Sequence, residues 1–170
     1  MDDGERSADD QGNLVRSVDS HHPSYIRVTN LCPEAVDLIW IDYQGRHVKY
    51  TKLSNRAFVD VNTFETHPWI AVHSDKKDKV LMNNKFIYMP TRSRPVPNLP
   101  ADAPLQFLRV SVSITLPVYS LRYRALLEIR SYLTTVSDVD TLDLPAELRN
   151  ALKVTILDRI SLTQNLLQRI

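Results

Sequence analysis

Between Tyr25 and about Ile114, apolar and polar positions alternate with a period of two, the spacing that places successive side chains on opposite faces of a strand. Val36, Leu38 and Trp40 interleave with Asp37, Ile39 and Ile41, so this strand is apolar on both sides and predicts some cover on each. Gln44-Gly45 then supplies a tight turn, with a return strand through His47 and Tyr50. Further strands are predicted at Ala57–Asn62, Trp69–His73, Lys79–Met82, Phe86–Met89 and Leu108–Ile114. In the last, Leu108, Val110, Val112 and Ile114 share one face, and Arg109, Ser111 and Ser113 the other. Short strands at this spacing predict an antiparallel β-sandwich.

The alternation fails over Thr91–Phe107, which holds Pro95, Pro97, Pro100 and Pro104 and no long apolar run. Proline removes a ladder donor and fixes extended geometry, so a surface loop is expected there. After Pro117 the period lengthens to that of a helix. Leu121, Ala125, Ile129 and Tyr132 fall on one face, Leu126 and Leu133 beside it, and Tyr123 and Leu127 on a third side. Ser120 is placed to cap the first turn. A helix apolar on several sides needs several neighbours, and so small a domain supplies few; the surplus points to a partner. A second helix is predicted from Leu144-Pro145, with proline at the first helical position, and Leu148, Leu152 and Ile156 continue its stripe. A third carries Leu162, Leu166, Leu167 and Ile170. The fold class expected is mixed β + α: an antiparallel β-sandwich over 23–116 with a proline-rich loop at 91–107, then a small three-helix domain over 117–170. Residues 1–22 carry Asp2, Asp3, Glu5, Asp9 and Asp10 with hardly any apolar residue. Such a segment cannot offset the entropy of ordering, and it reads as a disordered acidic tail.

Composition narrows the function. A chain of 170 residues with 43% hydrophobic content can build one ordinary core, or one larger and one very small domain. A formal charge of +1 gives no bulk attraction to nucleic acid, and none is expected as a partner. No apolar run approaches the ~20 residues that span a bilayer, and the first twenty residues show no signal peptide, so a soluble intracellular protein away from membranes is expected. One cysteine, Cys32, excludes an internal disulfide or a thiolate-rich zinc site; without a base partner it reads as an inert strand-end residue. Three glycines are too few for a phosphate-cradling loop. The five histidines lack metal-ligand spacing, and neither metal nor cofactor is expected. Taken singly, Trp40 and Trp69 suit ordinary core aromatics, His67 beside Pro68 suits a turn cap, and Tyr50 and Thr63 carry no mark of their own.

Two helical stretches carry a resemblance. Ser120-Leu121-Arg122-Tyr123-Arg124-Ala125-Leu126-Leu127-Glu128-Ile129 resembles the elongin-binding box, with Ala125 where the box normally has cysteine. Leu144-Pro145-Ala146-Glu147-Leu148-Arg149-Asn150-Ala151-Leu152 resembles the box that selects cullin-two. Each pattern is loose alone; their order and spacing together are more specific. Arg16-Ser17-Val18-Asp19-Ser20 looks like the lead-in to a von Hippel–Lindau β domain, and Ile114-Thr115-Leu116-Pro117-Val118-Tyr119-Ser120-Leu121 like its β-to-α junction. Trp40, the Gln44-Gly45 turn, Tyr50, Leu53 and His67-Pro68-Trp69 fall at that family's spacing. On these residues the chain resembles the von Hippel–Lindau family from about Arg16 to at least Leu152. It departs at the proline-rich loop, which looks like an insertion, and at the C-terminus, where the family's final helix is absent or shortened.

The resemblance implies a non-catalytic substrate-recognition subunit of an elongin–cullin ubiquitin ligase, cytoplasmic and nuclear. Its partners would be elongin C, elongin B, a cullin with its RING protein, and a hydroxylated peptide such as that of hypoxia-inducible factor alpha. Carried over residue by residue, the 4-hydroxyproline pocket would be Trp40, Tyr50, Thr63, His67 and Trp69, and the peptide groove Asp19, His21, Tyr43, Val61, Asn62 and Phe64. Elongin contacts would fall on Ser120, Leu121, Arg124, Ala125, Leu126 and Ile129, and cullin contacts on Leu144, Pro145, Leu148 and Leu152. Thr63 stands where the family usually has serine, and His21 and Asn62 replace different polar residues. Two other readings stay open: an adaptor of the same type for a non-hydroxylated degron, and a β-sandwich carrier of a small ligand, which has no need of an elongin box. A hydrolase has least support, since no nucleophile–base pair is visible.

Overall fold

The computed structural model describes residues 14–100 and 102–167. Two compact units divide between Leu116 and Pro117. The first contains β1 (Pro23–Asn30), β2 (Val36–Ile41), β3 (His47–Leu53), β4 (Phe58–Phe64), β5 (Trp69–His73), β6 (Lys79–Met82) and β7 (Val110–Thr115). They pair in the order β3-β2-β5-β6-β7-β1-β4, which leaves β3 and β4 as the terminal strands. Five of the six pairings are antiparallel, but β1 and β7 run parallel. A parallel pair needs a long crossover, and the intervening strands supply it; hairpin-length spacing alone does not reveal such a pairing.

The alternation predicted for β2 holds on both faces. Val36 and Leu38 enter a core with Ile26, Val28, Leu53, Val61, Trp69, Ala71, Val80, Met82, Val112 and Ile114. Ile39 and Ile41, with Ile70 and Val72 of β5, are buried on the other side of the same strands. Asp37, on that side, is also buried: Lys49 and Lys77 approach its carboxylate at 2.8 and 2.9 Å, and Ser74 Oγ donates to it at 2.8 Å. Burial pushes this carboxyl up, and the bonds from Lys49, Lys77 and Ser74 outweigh that and hold it below the usual range. Cys32 is buried with its thiol pushed up, chiefly by burial and secondarily by Glu34, which suits an inert side chain.

The turn after β2 forms as expected. Gly45 takes φ +77°, and a Cβ there would meet Leu14 Cδ1 at 3.1 Å and the Val15 carbonyl at 3.3 Å. The Asp42 carboxylate accepts the Gln44 and Arg46 amides, each at 2.9 Å. The strand expected at Phe86–Met89 does not form. Asn83 and Asn84, both in the left-handed region, turn the chain after β6 so that Lys85 bridges Met82, and within 86–89 Tyr88 alone pairs, bridging Trp69. β4 extends to Phe64, beyond the expected Asn62, and β7 begins at Val110.

Thr91–Phe107 lies largely on the surface and is tied down at both ends. Ser93 Oγ accepts the Tyr25 amide at 2.7 Å, the Val96 amide donates to Gln106 O at 2.8 Å, and the Phe107 and Tyr25 rings lie 5.3 Å apart. Of the expected tail, residues 1–13 lie outside the described residues, but the stretch from Leu14 is held. Ser17 is only 2% exposed, and its amide donates to Asp42 O at 3.0 Å.

The second unit has two α-helices, α1 (Leu121–Ser131) and α2 (Ala146–Leu167), with a 3-10 turn at Ser137–Thr141. The second and third helical stripes are therefore one 22-residue helix rather than two. No glycine or proline separates Ile156 from Leu162, so nothing interrupts the ladder; Ile170 lies outside the described residues. Ser120 Oγ accepts the Tyr123 amide at 3.2 Å, as an N-cap should. Leu126, Leu152 and Ile156 close a small core with Val139 of the 3-10 turn. Arg130 is buried beside them and donates from Nη1 to Thr155 O at 3.2 Å.

Candidate functional site

Trp40 and Trp69 are register partners across β2 and β5, so their side chains leave the same face. Between Leu38 and Ile39 the β2–β3 register jumps from Thr51 to Lys49 and skips Tyr50. A bulged residue has no partner opposite it and can be re-aimed. Tyr50, 51% exposed, lies edge-on to Trp69 with ring centroids 5.3 Å apart. The Trp69 indole N–H donates to Thr63 Oγ1 at 3.0 Å. A hydroxyl that accepts one bond still has its own proton and a second lone pair, so buried Thr63 can both donate to and accept from a ligand hydroxyl.

His67 sits on the turn after β4, with its amide donating to Phe64 O at 3.1 Å. Its ring lies 5.3 Å from Trp40, 5.1 Å from Phe64 and 5.4 Å from Tyr43. Nε2 is 3.1 Å from the Tyr43 hydroxyl, which is itself 2.6 Å from Ser20 Oγ. Burial pushes the imidazole below its ordinary value, against the opposing backbone bond and charge of Asp19, so the ring is neutral at pH 7. The Trp40 indole N–H donates to Ser17 Oγ at 2.8 Å, and Ser17 in turn donates to Ile41 O at 2.6 Å. All five expected pocket residues thus join one aromatic and hydroxyl cluster, and in it Trp40, Thr63 and His67 are each aimed by a hydrogen-bonding neighbour.

Residues 15–95 match the family model of the VHL beta domain. Protein Vhl of Drosophila melanogaster is 27% identical over 114 residues, 67% of this chain and 64% of that protein. Residues 15–95 carry a VHL beta domain, and the chain is similar to the VHL family. The alignment takes in less than two thirds of the Drosophila relative's own length.

Around the VHL beta-domain pocket, the expected groove residues divide. Tyr43 and Phe64 pack on His67. The Asp19 amide donates to Thr66 Oγ1 at 3.0 Å, and that hydroxyl donates back to Asp19 O at 2.8 Å. Exposed His21 pairs with the Asp19 carboxylate, which lies below its usual range chiefly through the His21 amide bond. Val61 is a correction. Its side chain is in the core, and its backbone faces Ile26 of β1 in the ladder, with its carbonyl also accepting from Arg109 at 3.4 Å. Asn62 points the other way, to the outer face, where its Oδ1 accepts from Arg109 at 3.0 Å. Ser17, Ser20, Thr66 and Arg109 were not among the expected site residues. Ser17 and Ser20 lie in the stretch recognised only as a lead-in, and no periodicity marks Thr66 or Arg109.

The helical boxes divide in the same way. Leu121 is 86% exposed, Arg124, Ala125 and Pro145 are exposed, and Ile129, Leu144 and Leu148 are half-buried. Leu126 and Leu152 are core residues, so they hold the helices together and do not offer a contact surface. Among the described residues no group of three or more His, Cys, Asp or Glu could hold a metal, and no helix is long and apolar enough to cross a membrane.

Proposed function

We propose that this protein is the substrate-recognition subunit of an elongin–cullin ubiquitin ligase, and that its pocket reads 4-hydroxyproline in an extended peptide, as in hypoxia-inducible factor alpha. The observation that carries the reading is a polar pair at the pocket, one hydroxyl and one imidazole. Thr63, oriented by Trp69, and neutral His67, oriented by Tyr43, stand among the three aromatic rings of Trp40, Tyr50 and Trp69. The rings take a pyrrolidine and exclude water, while the polar pair takes its hydroxyl. Unmodified proline leaves the buried Thr63 hydroxyl proton unpaired, at about 1–3 kcal/mol. β4, which carries Thr63, is a terminal strand whose second edge can pair with a peptide backbone.

The exposed Leu121 stripe is the face offered to elongin C, with elongin B behind it, and the surface at Pro145 and Leu148 is the face offered to the cullin and its RING protein. This subunit performs no bond chemistry. It raises the effective concentration of target at the transfer machinery. Co-expression with elongins B and C tests the reading: the purified complex captures a hydroxyproline peptide and passes over the proline form. Failure to co-purify would remove the adaptor role, and equal capture of both peptides would remove the hydroxyl-reading role.

A further inference from the structure

Along β4, Thr63 and Val61 face inward, while Phe58, Asp60 and Asn62 face outward. Opposite them on β1 stand Thr29, Arg27 and Tyr25, their register partners. Arg27 grips the Asp60 carboxylate with two bonds, at 2.7 and 2.8 Å, and its guanidinium lies 4.5 Å from the Phe58 ring centre. Arg109, just ahead of β7, reaches across β1 near the Tyr25 ring. Its Nε comes within 3.5 Å of Asp60 Oδ2, and its Nη2 donates to Asn62 Oδ1 at 3.0 Å. This patch holds two guanidiniums against one carboxylate. Because Asn62 turns its oxygen to Arg109, its amide donors face away and meet no partner among the described residues.

A peptide strand laid on the free edge of β4 alternates as β4 does. If its hydroxyproline enters the pocket beside Thr63, an adjacent side chain emerges on the outer face beside Asn62. The patch there is cationic, carries spare N–H donors and lacks a second carboxylate. We infer that Asn62 and Arg109 form a specificity site for an aspartate or glutamate next to the hydroxyproline of the ligand. This rests on the hydroxyproline reading above and names the class of degron: hydroxylated peptides with an acidic neighbour. Arg109 acts as a positioning residue for the Asn62 amide and supplies the charge.

The test is a titration of the full chain with hydroxylated peptides that differ only in the residue before or after hydroxyproline, set to Glu, Gln, Ala or Lys. The expected result is tightest binding of a Glu peptide at one of the two positions, roughly five-fold over Ala and more over Lys, weakening as salt rises. Arg109→Ala collapses the ratio between Glu and Lys peptides, and Arg109→Lys restores part of it. A purely structural role for Arg109 would weaken all peptides alike and leave that ratio intact, which overturns the inference. Should Arg109→Ala not fold, Asn62→Ala with the salt series reads the same ratio. Equal binding of every hydroxylated peptide overturns the acidic preference alone; no binding of any hydroxylated peptide overturns both this inference and the pocket reading.

Discussion

The pocket of the β unit and the boxes of the helical unit are built on opposite plans. In the pocket three of the polar groups are already held: Trp40 by Ser17, Thr63 by Trp69, His67 by Tyr43. In the helices one stripe is spent on the core through Leu126 and Leu152, and another, through Leu121 and Ala125, stays open. A site for a small rigid ligand gains affinity by being formed beforehand, since little ordering remains to be done on binding. A face meant for another protein has to remain uncovered, at the expense of the stability of the small unit that carries it. The two regions should therefore fail differently when altered.

The largest effect is expected in the helical core. Leu152→Ala should cost about 2–5 kcal/mol, because a fully buried leucine leaves a cavity the small unit cannot refill. Leu121→Asp should change stability by under about 0.5 kcal/mol yet abolish co-purification with elongins. Thermal unfolding beside a pull-down separates the two. If Leu152→Ala were as mild as Leu121→Asp, the division of the stripe would be wrong.

Next is the response of the β unit to acid. Burial drives His47 down to about 4, with Lys79 adding to it, and burial also depresses His67. An imidazole whose folded value is depressed gives full stability above its unfolded value near 6.5 and loses it as the pH falls towards the folded value. His47 alone should then remove roughly 3 kcal/mol between pH 6.5 and 4. Denaturant melts across that window check this, and His47→Gln should flatten the profile.

Within the pocket, Thr63→Val strips Trp69 of its acceptor and the ligand of a partner. It should cost about 1–3 kcal/mol in binding of the hydroxylated peptide, with little change for the proline form. Thr63→Ser keeps the hydroxyl and should bind nearly as the wild type. Beside the pocket, Ser17→Ala should cost about 1 kcal/mol of stability, from loss of the bridge between Trp40 and Ile41 O. A peptide affinity unchanged by Ser17→Ala would mean that Trp40 needs no aiming.

Much of this was legible in the chain, and the gaps have physical causes. Period-two spacing located six strands, while the five pocket residues came only through the resemblance to the von Hippel–Lindau family, since none of them is marked by its own spacing. The bulge that frees Tyr50 was hidden, because register is a relation between two strands and Tyr50 looks ordinary in its own. The parallel β1–β7 pair was hidden for the same reason. Asp37 shares a face with Ile39 and Ile41, and the partners of its charge stay hidden until Lys49 and Lys77 arrive from elsewhere in the chain. Arg109 fits the polar side of its strand; only the fold carries its guanidinium across β1 to Asn62. In the helices, a 3.6-residue period shows that a stripe is apolar and not whether the core or a partner takes it, so Leu152 and Leu121 looked alike.

The decisive measurement is the ratio of dissociation constants for two peptides identical except for the 4-hydroxyl on one proline, titrated against the complex with elongins B and C. A buried Thr63 hydroxyl proton left unpaired at about 1–3 kcal/mol predicts a preference for the hydroxylated form of roughly ten-fold or more, reduced in Thr63→Val. A ratio near one, with measurable binding of both, would contradict a pocket built around a hydroxyl.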